Sequence, residues 1–154
     1  GVALSEEQLL VRRIKEGTVL DHVEPGRSLR VLSALNITGQ DGNTVTIAMN
    51  VPSSKMEKKD IVKIANRFLS PKETNRIALI APRATVNLIK DYKVIEKRRV
   101  ELPETFIDVF KCPNPTCISN SKEPITPVIE VVKKTPPLLR CKYCARLLQP
   151  EDLM

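Results

Sequence analysis

Cys112-Pro113-Asn114-Pro115-Thr116-Cys117 and, after a further 23 residues, Cys141-Lys142-Tyr143-Cys144 contain every cysteine of the 154-residue chain. Two close pairs joined by a long loop are what one tetrahedral zinc ion requires: each short pair turns two sulfurs the same way, and the loop brings the pairs together. Two disulfides, or a redox Cys-x-x-Cys at Cys141 and Cys144, are the competing readings. Against them, no secretory signal is visible, and four cysteines in 154 residues do not make a disulfide-dense chain. Catalytic zinc keeps one position open for water, whereas four thiolates close the shell. The reading is therefore one structural zinc held by Cys112, Cys117, Cys141 and Cys144. His22, the sole histidine, is distant and not needed as a ligand. Pro113 and Pro115 remove two N–H donors that might have bonded to sulfur, for which the sequence offers no reason.

Around this motif the composition divides the chain. Eight of the twelve prolines fall at or after Pro103, while four of the five glycines precede residue 40. The division implies a domain at residues 1–103 and a second at 104–154. The second has 51 residues, a length at which an apolar core alone is marginal and a metal commonly supplies the difference. It is expected to be a small antiparallel sheet around the zinc, with strands at 107–110, 128–132 and 138–140. No apolar run approaches the roughly twenty residues that span a bilayer, and the expectation is a soluble, cytoplasmic protein.

The first domain alternates strand and helix patterns. Residues 9–23 read as a strand bent or interrupted at Gly17. After Pro25 and Gly26, Leu29, Leu32 and Leu35 with Val31 and Ala34 outline one apolar helix face. Residues 44–51 alternate Val45, Ile47 and Met49 with polar or small neighbours, as a half-buried strand does, and 60–68 form another mixed run. Ser70-Pro71-Lys72-Glu73 is a helix start, with Ser70 able to cap, Pro71 needing no N–H, and Glu73 able to close a capping box. Pro82 ends that helix. A final strand, split by Lys90 and Asp91, occupies 85–89 and 92–95. The order strand, helix, strand, strand, helix, strand predicts an α+β, ferredoxin-like fold: an antiparallel sheet with two helices on one face.

The chemistry of most enzyme classes is missing. There is no phosphate-cradling Gly-rich loop, no G-x-S-x-G elbow, and no Cys–His pair once zinc takes the thiols. The net charge of +7 raises nucleic-acid binding, but the charge is unevenly placed. Residues 1–103 carry 18 Lys plus Arg against 12 Asp plus Glu, and residues 104–154 carry 7 against 6. A zinc module that grips a phosphate backbone is usually strongly basic, and three Phe, two Tyr and no Trp leave few rings for base stacking. A zinc-ribbon nucleic-acid module remains the rival reading. Possible anion-binding groups gather on strand-like segments: Asp21 and His22, Lys59 and Lys63, then Lys90, Lys93, Lys97, Arg98 and Arg99. Lys59 and Lys63, four apart, share one face of an extended strand. Taken alone, these residues favour a solvated basic face over a binding site.

Ordered matches along nearly the whole chain go further. Gly17-Thr18-Val19-Leu20-Asp21-His22, Asn50-Val51-Pro52-Ser53, Lys59-Asp60 and Lys63-Ile64 are followed by Ala81-Pro82-Arg83-Ala84-Thr85-Val86-Asn87 and Leu102-Pro103-Glu104. With Cys112-Pro113-Asn114, Cys117-Ile118 and Cys141-Lys142-Tyr143-Cys144, the chain resembles the regulatory subunit of aspartate carbamoyltransferase. The resemblance implies a non-catalytic chain that binds CTP and ATP in its N-terminal domain, forms a homodimer through that domain, and docks its zinc domain on a separate catalytic chain of pyrimidine biosynthesis. It implies that Lys97 and His22 contact the triphosphate, with Lys59 and Asn87 as further phosphate contacts. It places Asp21 and Lys63 near the ribose, the backbone of Ile14 and Tyr92 at the base, and Val19 and Val94 on an apolar wall. Arg12 and Arg13 stand where familiar bacterial members have an acidic and a small residue, which leaves effector identity open.

Overall fold

Gly17 opens strand β1, Gly17–Val23, at φ 137°, and a Cβ there would run into the carbonyl oxygen of Ile64 on the neighbouring strand. No side chain larger than hydrogen fits this crossing, so glycine starts the strand where a bent strand over 9–23 was expected. The computed structural model describes residues 13–123 and 125–154, so the part of that expectation on 9–12, with Arg12, lies outside the described residues. Lys15 and Glu16 form a bend before the strand. The chain divides into two compact units, residues 1–101 and 102–154.

In the first unit, β1 is followed by helix α1 (Ser28–Ala34), β2 (Val45–Ser53), β3 (Glu57–Ala65), helix α2 (Pro71–Ile80), β4 (Thr85–Lys90) and β5 (Lys93–Arg99). The strands form one five-stranded sheet in the order β2-β3-β1-β4-β5, every neighbouring pair antiparallel. The ferredoxin-like expectation holds, with one addition. The split final strand is two strands, because Lys90, Asp91, Tyr92 and Lys93 make a hairpin turn in which Asp91 and Tyr92 both take positive φ, 49° and 64°.

Side chains alternate across the sheet. Thr18, Leu20, Val62, Ile64 and Val86 are all but completely buried on the helix-covered side, with Val31, Leu35, Ile77 and Ala78 completing the core. Helix α2 starts as its sequence predicts: the Ser70 hydroxyl accepts from Glu73 N–H at 3.3 Å and Glu73 Oε1 accepts from Ser70 N–H at 3.0 Å. Helix α1 differs from expectation. Val31 and Leu35, four apart, face inward, while Leu29 is 60% exposed, because three-residue spacing drifts off a 3.6-residue face.

The strands at 44–51 and 60–68 are also corrected. Strand β3 runs earlier, Glu57–Ala65, and stops before Asn66, whose φ is 60°. Strand β2 does not alternate to its end: Ala48 pairs Ile61 and Val51 pairs Lys59, so Met49 and Asn50 together oppose Asp60, and Met49 points to solvent. A matching bulge interrupts β1, where Leu20 pairs Val62 and Val23 pairs Asp60. Asp60 sits beside both. It is fully buried, its Oδ1 accepting from Asn50 N–H at 3.0 Å and its Oδ2 from the N–H groups of Gly26 and Ser28 at 2.9 and 3.2 Å. One carboxylate thus fixes a bulge in β2 and the entry to α1.

The second unit is a four-stranded antiparallel sheet, β6 (Thr105–Ile107), β7 (Val128–Lys134), β8 (Pro137–Cys141) and β9 (Leu147–Leu148), in that order, closed by a short helix α3 (Pro150–Leu153). The expected strand at 107–110 lies earlier, because Asp108 turns the chain at φ 56°. Those at 128–132 and 138–140 extend further, and β9 and α3 were unforeseen. The core is small: Phe106, Ile129, Leu139 and Leu148 are buried to 1% exposure or less, with Phe110 set edge-on to Phe106 at 5.0 Å between ring centres.

Candidate ligand groove and metal centre

The side of the five-stranded sheet away from the helices carries a row of paired positions across four strands. Lys63 on β3 faces Val19 on β1, which faces Asn87 on β4, which faces Lys97 on β5. Two residues along, Asp21, Thr85 and Arg99 form the next row; in the other direction stand Ile89 and Val94. Strand periodicity makes these rows one continuous surface.

Its two ends differ in chemistry. One is a 410 Å³ hollow lined by Arg13, Ile14, Val19, Lys63, Ile89, Tyr92, Lys93 and Val94. The other, 260 Å³, is lined by His22, Lys55, Met56, Arg83, Thr85, Lys97 and Arg99, with no carboxylate among them. The bulge in β1 makes the second end possible: two residues separate the fully buried Leu20 and Val23, so Asp21 and His22 both escape the core. His22 takes φ 55° and its Nδ1 lies 3.1 Å from Thr85 Oγ1.

Each residue expected at a ligand site has a definite place here. Lys59 and Lys63 are 6% and 8% exposed, and Lys59 Nζ lies 3.1 Å from Asp21 Oδ1. Asn87 Nδ2 donates to Val19 O at 3.3 Å. Tyr92 donates its N–H to Lys15 O at 3.0 Å, while its ring and Val94 are each 56% exposed. Of the wider basic cluster, Arg98 pairs with Glu96 at 3.6 Å and Lys93 lines the apolar end. Lys55 and Arg83 were not anticipated; both stand on turns, where no periodicity marks a face.

His22 is drawn below its ordinary pKa, first by burial and further by Lys59, Lys55 and Lys97, with Asp21 opposing. It is therefore neutral at pH 7 in the free chain, and a bound polyanion would raise it again. Anion binding should then take up protons, with apparent affinity rising as pH falls from 8 towards 6, by at most about tenfold per pH unit for one group. Calorimetry at pH 7 in two buffers of different ionisation enthalpy measures the uptake, and His22→Gln should abolish it. The linkage to folding has the same origin: with the folded pKa below the unfolded one, acid below about pH 6.5 works against the empty fold.

In the second unit the four sulfurs lie within 4.8 Å of one another. Cys112 and Cys144 Sγ are 3.8 Å apart and Cys117 and Cys141 Sγ 3.7 Å. A tetrahedron with Zn–S bonds of about 2.3 Å has edges of about 3.8 Å, so the donor set fits zinc, and no two sulfurs are bonded to each other. Each sulfur also receives the backbone N–H two positions downstream, Asn114 for Cys112, Ser119 for Cys117, Tyr143 for Cys141 and Arg146 for Cys144, and Cys141 receives that of Cys144 as well. Pro113 and Pro115 flank Asn114, and Pro115 stands where the second knuckle has the Cys144 N–H that donates to Cys141, so Cys112 keeps only the Asn114 bond. Asn120 Nδ2 pins the same loop, donating to Cys112 O at 2.8 Å and Asn114 O at 2.7 Å. Without metal, burial pushes the Cys112 thiol up to about 12, whereas the Arg146 N–H brings Cys144 down to about 6.

A groove with an apolar and a cationic end occurs in one chain with a cluster of four cysteine sulfurs that fits a structural metal. Residues 9–101 match the family model of the aspartate carbamoyltransferase regulatory chain, allosteric domain, and residues 104–154 that of the same chain's metal binding domain. The chain belongs to the aspartate carbamoyltransferase regulatory chain family, and is a non-catalytic subunit of that enzyme. It is 57% identical over 145 residues to the regulatory chain of Cenarchaeum symbiosum, covering 94% of this chain and 95% of that one. Identity to the Nitrosopumilus maritimus regulatory chain is 51% over 150 residues, 97% and 98% of the two chains. To that of Thermofilum pendens it is 50% over 150 residues, 97% and 94%. Among the described residues no helix is long and apolar enough to cross a membrane.

Proposed function

We propose that the groove binds nucleoside triphosphates, CTP and ATP, as allosteric effectors, and that the four cysteines hold one zinc ion. The observation that carries the nucleotide reading is the row Lys63–Val19–Asn87–Lys97, which joins an apolar hollow fit for a base to a cationic hollow fit for phosphates. In this reading Ile14, Tyr92, Val19 and Val94 receive the base, Asp21 and Lys63 the ribose, and His22, Lys59, Asn87 and Lys97 the phosphates.

The zinc supplies fixed geometry and charge neutralisation, and the chain's own knuckle amides and thiolates orient it. Residues 1–103 form the effector-binding and homodimerising domain, and 104–154 the domain that docks on the catalytic chain. Reduced thiolates suit a reducing compartment, which favours the cytoplasm. An effector shifts the catalytic partner only by its differential affinity for the partner's two states, typically about 1–3 kcal/mol.

Lys97→Ala should lower affinity for CTP and ATP together by about tenfold or more, the worth of a lost charge-assisted hydrogen bond. Isothermal calorimetry reads this directly, and unchanged affinity would remove the groove as the effector site.

A further inference from the structure

The cationic hollow holds more positive charge than the phosphate residues carried over from the family account for. Beside His22 and Lys97 it is lined by Lys55, Arg83 and Arg99. Arg99 stands in a sheet row, opposite Thr85. Lys55 and Arg83 do not: Lys55 lies on the turn between β2 and β3, Arg83 on the turn between α2 and β4. The two turns are tied together, because Arg83 Nη2 donates to Lys55 O at 3.4 Å, and Arg83 N–H is fixed on Glu24 Oε1 at 3.1 Å.

Position along β4 gives the ligand's direction. Ile89 lines the apolar hollow, Asn87 pairs with Lys97, Thr85 pairs with Arg99, and Arg83 comes next at the end of the strand. Each two-residue step on one face advances about 6.8 Å. A nucleoside with its base at Ile89 therefore carries its first phosphates past Lys97 towards Thr85, and only the last phosphate reaches the two turns. The carboxylates near this end are already engaged, Asp21 by Lys59 at 3.1 Å and Glu24 by the Arg83 amide and by Arg27 at 4.0 Å. Lys55 is also close enough to His22 to help lower its pKa, which places its charge inside the hollow's field.

We propose that Lys55 and Arg83 form a terminal-phosphate clamp that makes the groove select by phosphate-chain length, taking triphosphates over di- and monophosphates. The inference rests on the nucleotide reading of the groove. Both side chains are exposed, so each contact is screened, and an Arg or Lys on a phosphate here is worth roughly three- to tenfold in affinity.

The test is calorimetry of ATP, ADP and AMP on the intact, metal-loaded chain, for the unaltered protein, Lys55→Ala, Arg83→Ala, the double variant and Lys97→Ala. The double variant should lose about ten- to a hundredfold in ATP affinity, since two such contacts multiply, with ADP and AMP changed by less than about twofold. An equal loss for all three nucleotides, or no loss for ATP, would overturn the clamp. Should the double variant retain the ATP-over-ADP preference while Lys97→Ala weakens every nucleotide, the groove stands and the clamp falls. Absence of binding by the unaltered chain overturns both. Lys55→Gln and Arg83→Gln, with thermal melts matched to the unaltered chain, separate lost charge from lost fold.

Discussion

Chelating the metal is expected to unfold residues 102–154 and leave the five-stranded unit intact. The apolar core of residues 102–154 rests on four aliphatic or aromatic side chains at 1% exposure or less, Phe106, Ile129, Leu139 and Leu148, with Phe110 beside them. A core of that size in about 50 residues yields little net stability. Binding of a structural zinc by four thiolates contributes about 10–16 kcal/mol near neutral pH, more than such a fold holds in total. Metal release followed with a chromophoric chelator, alongside the loss of dispersed amide signals from residues 102–154, checks the result. The catalytic chain should then separate from the regulatory chain, active and unresponsive to nucleotide. Persistent nucleotide control after stoichiometric metal removal would give the metal a different role. Cys141→Ser should reproduce the chelated state, because Cys141 is 1% exposed and anchors the end of β8 as well as the ion.

The second large effect belongs to Asp60. Asp60→Ala removes the acceptor for three backbone N–H groups, those of Asn50, Gly26 and Ser28. Leaving a buried donor unsatisfied costs about 1–3 kcal/mol, and partial rescue by water brings the expected loss for the three to about 3–5 kcal/mol. Asp60→Asn should lose less: its carbonyl serves one side, while its NH₂ meets N–H donors on the other. Urea midpoints of the first unit measure both variants. A loss under about 1 kcal/mol for Asp60→Ala would mean that solvent takes over the bonds. Because the bulge that frees His22 pairs Val23 with Asp60, the same variants should weaken CTP and ATP.

What the sequence revealed and what it concealed follow from the reach of each signal. The capping box at Ser70 and Glu73 is local, spelled in four consecutive residues, and it survives unchanged in the structure. The strand and helix order is nearly as local, and it determined the ferredoxin-like topology. Bulges are not local. Alternation in the sequence turns Met49 inward, and only the partner strand reveals that two residues face one. Asp60 was similarly hidden, read as one more polar position in a mixed strand. An acid immediately ahead of the run Ile61-Val62-Lys63-Ile64, beside Asn50 and Gly26 only in space, has no sequence pattern to report its three bonds. At the groove, the in-strand lysines were legible from their four-residue spacing, whereas Lys55 and Arg83 sit on turns whose position depends on the whole sheet.

The two prolines of the first knuckle carry a last consequence. With each ring holding its own φ near −65°, and Asn120 fastening Cys112 and Asn114 from the far side, that jaw has few shapes left to lose when an ion arrives. Most of its ordering entropy was surrendered in advance by the covalent chain. Its grip on a dication is accordingly governed by sulfur protonation, and acidity, more than loop mobility, should decide when it lets go.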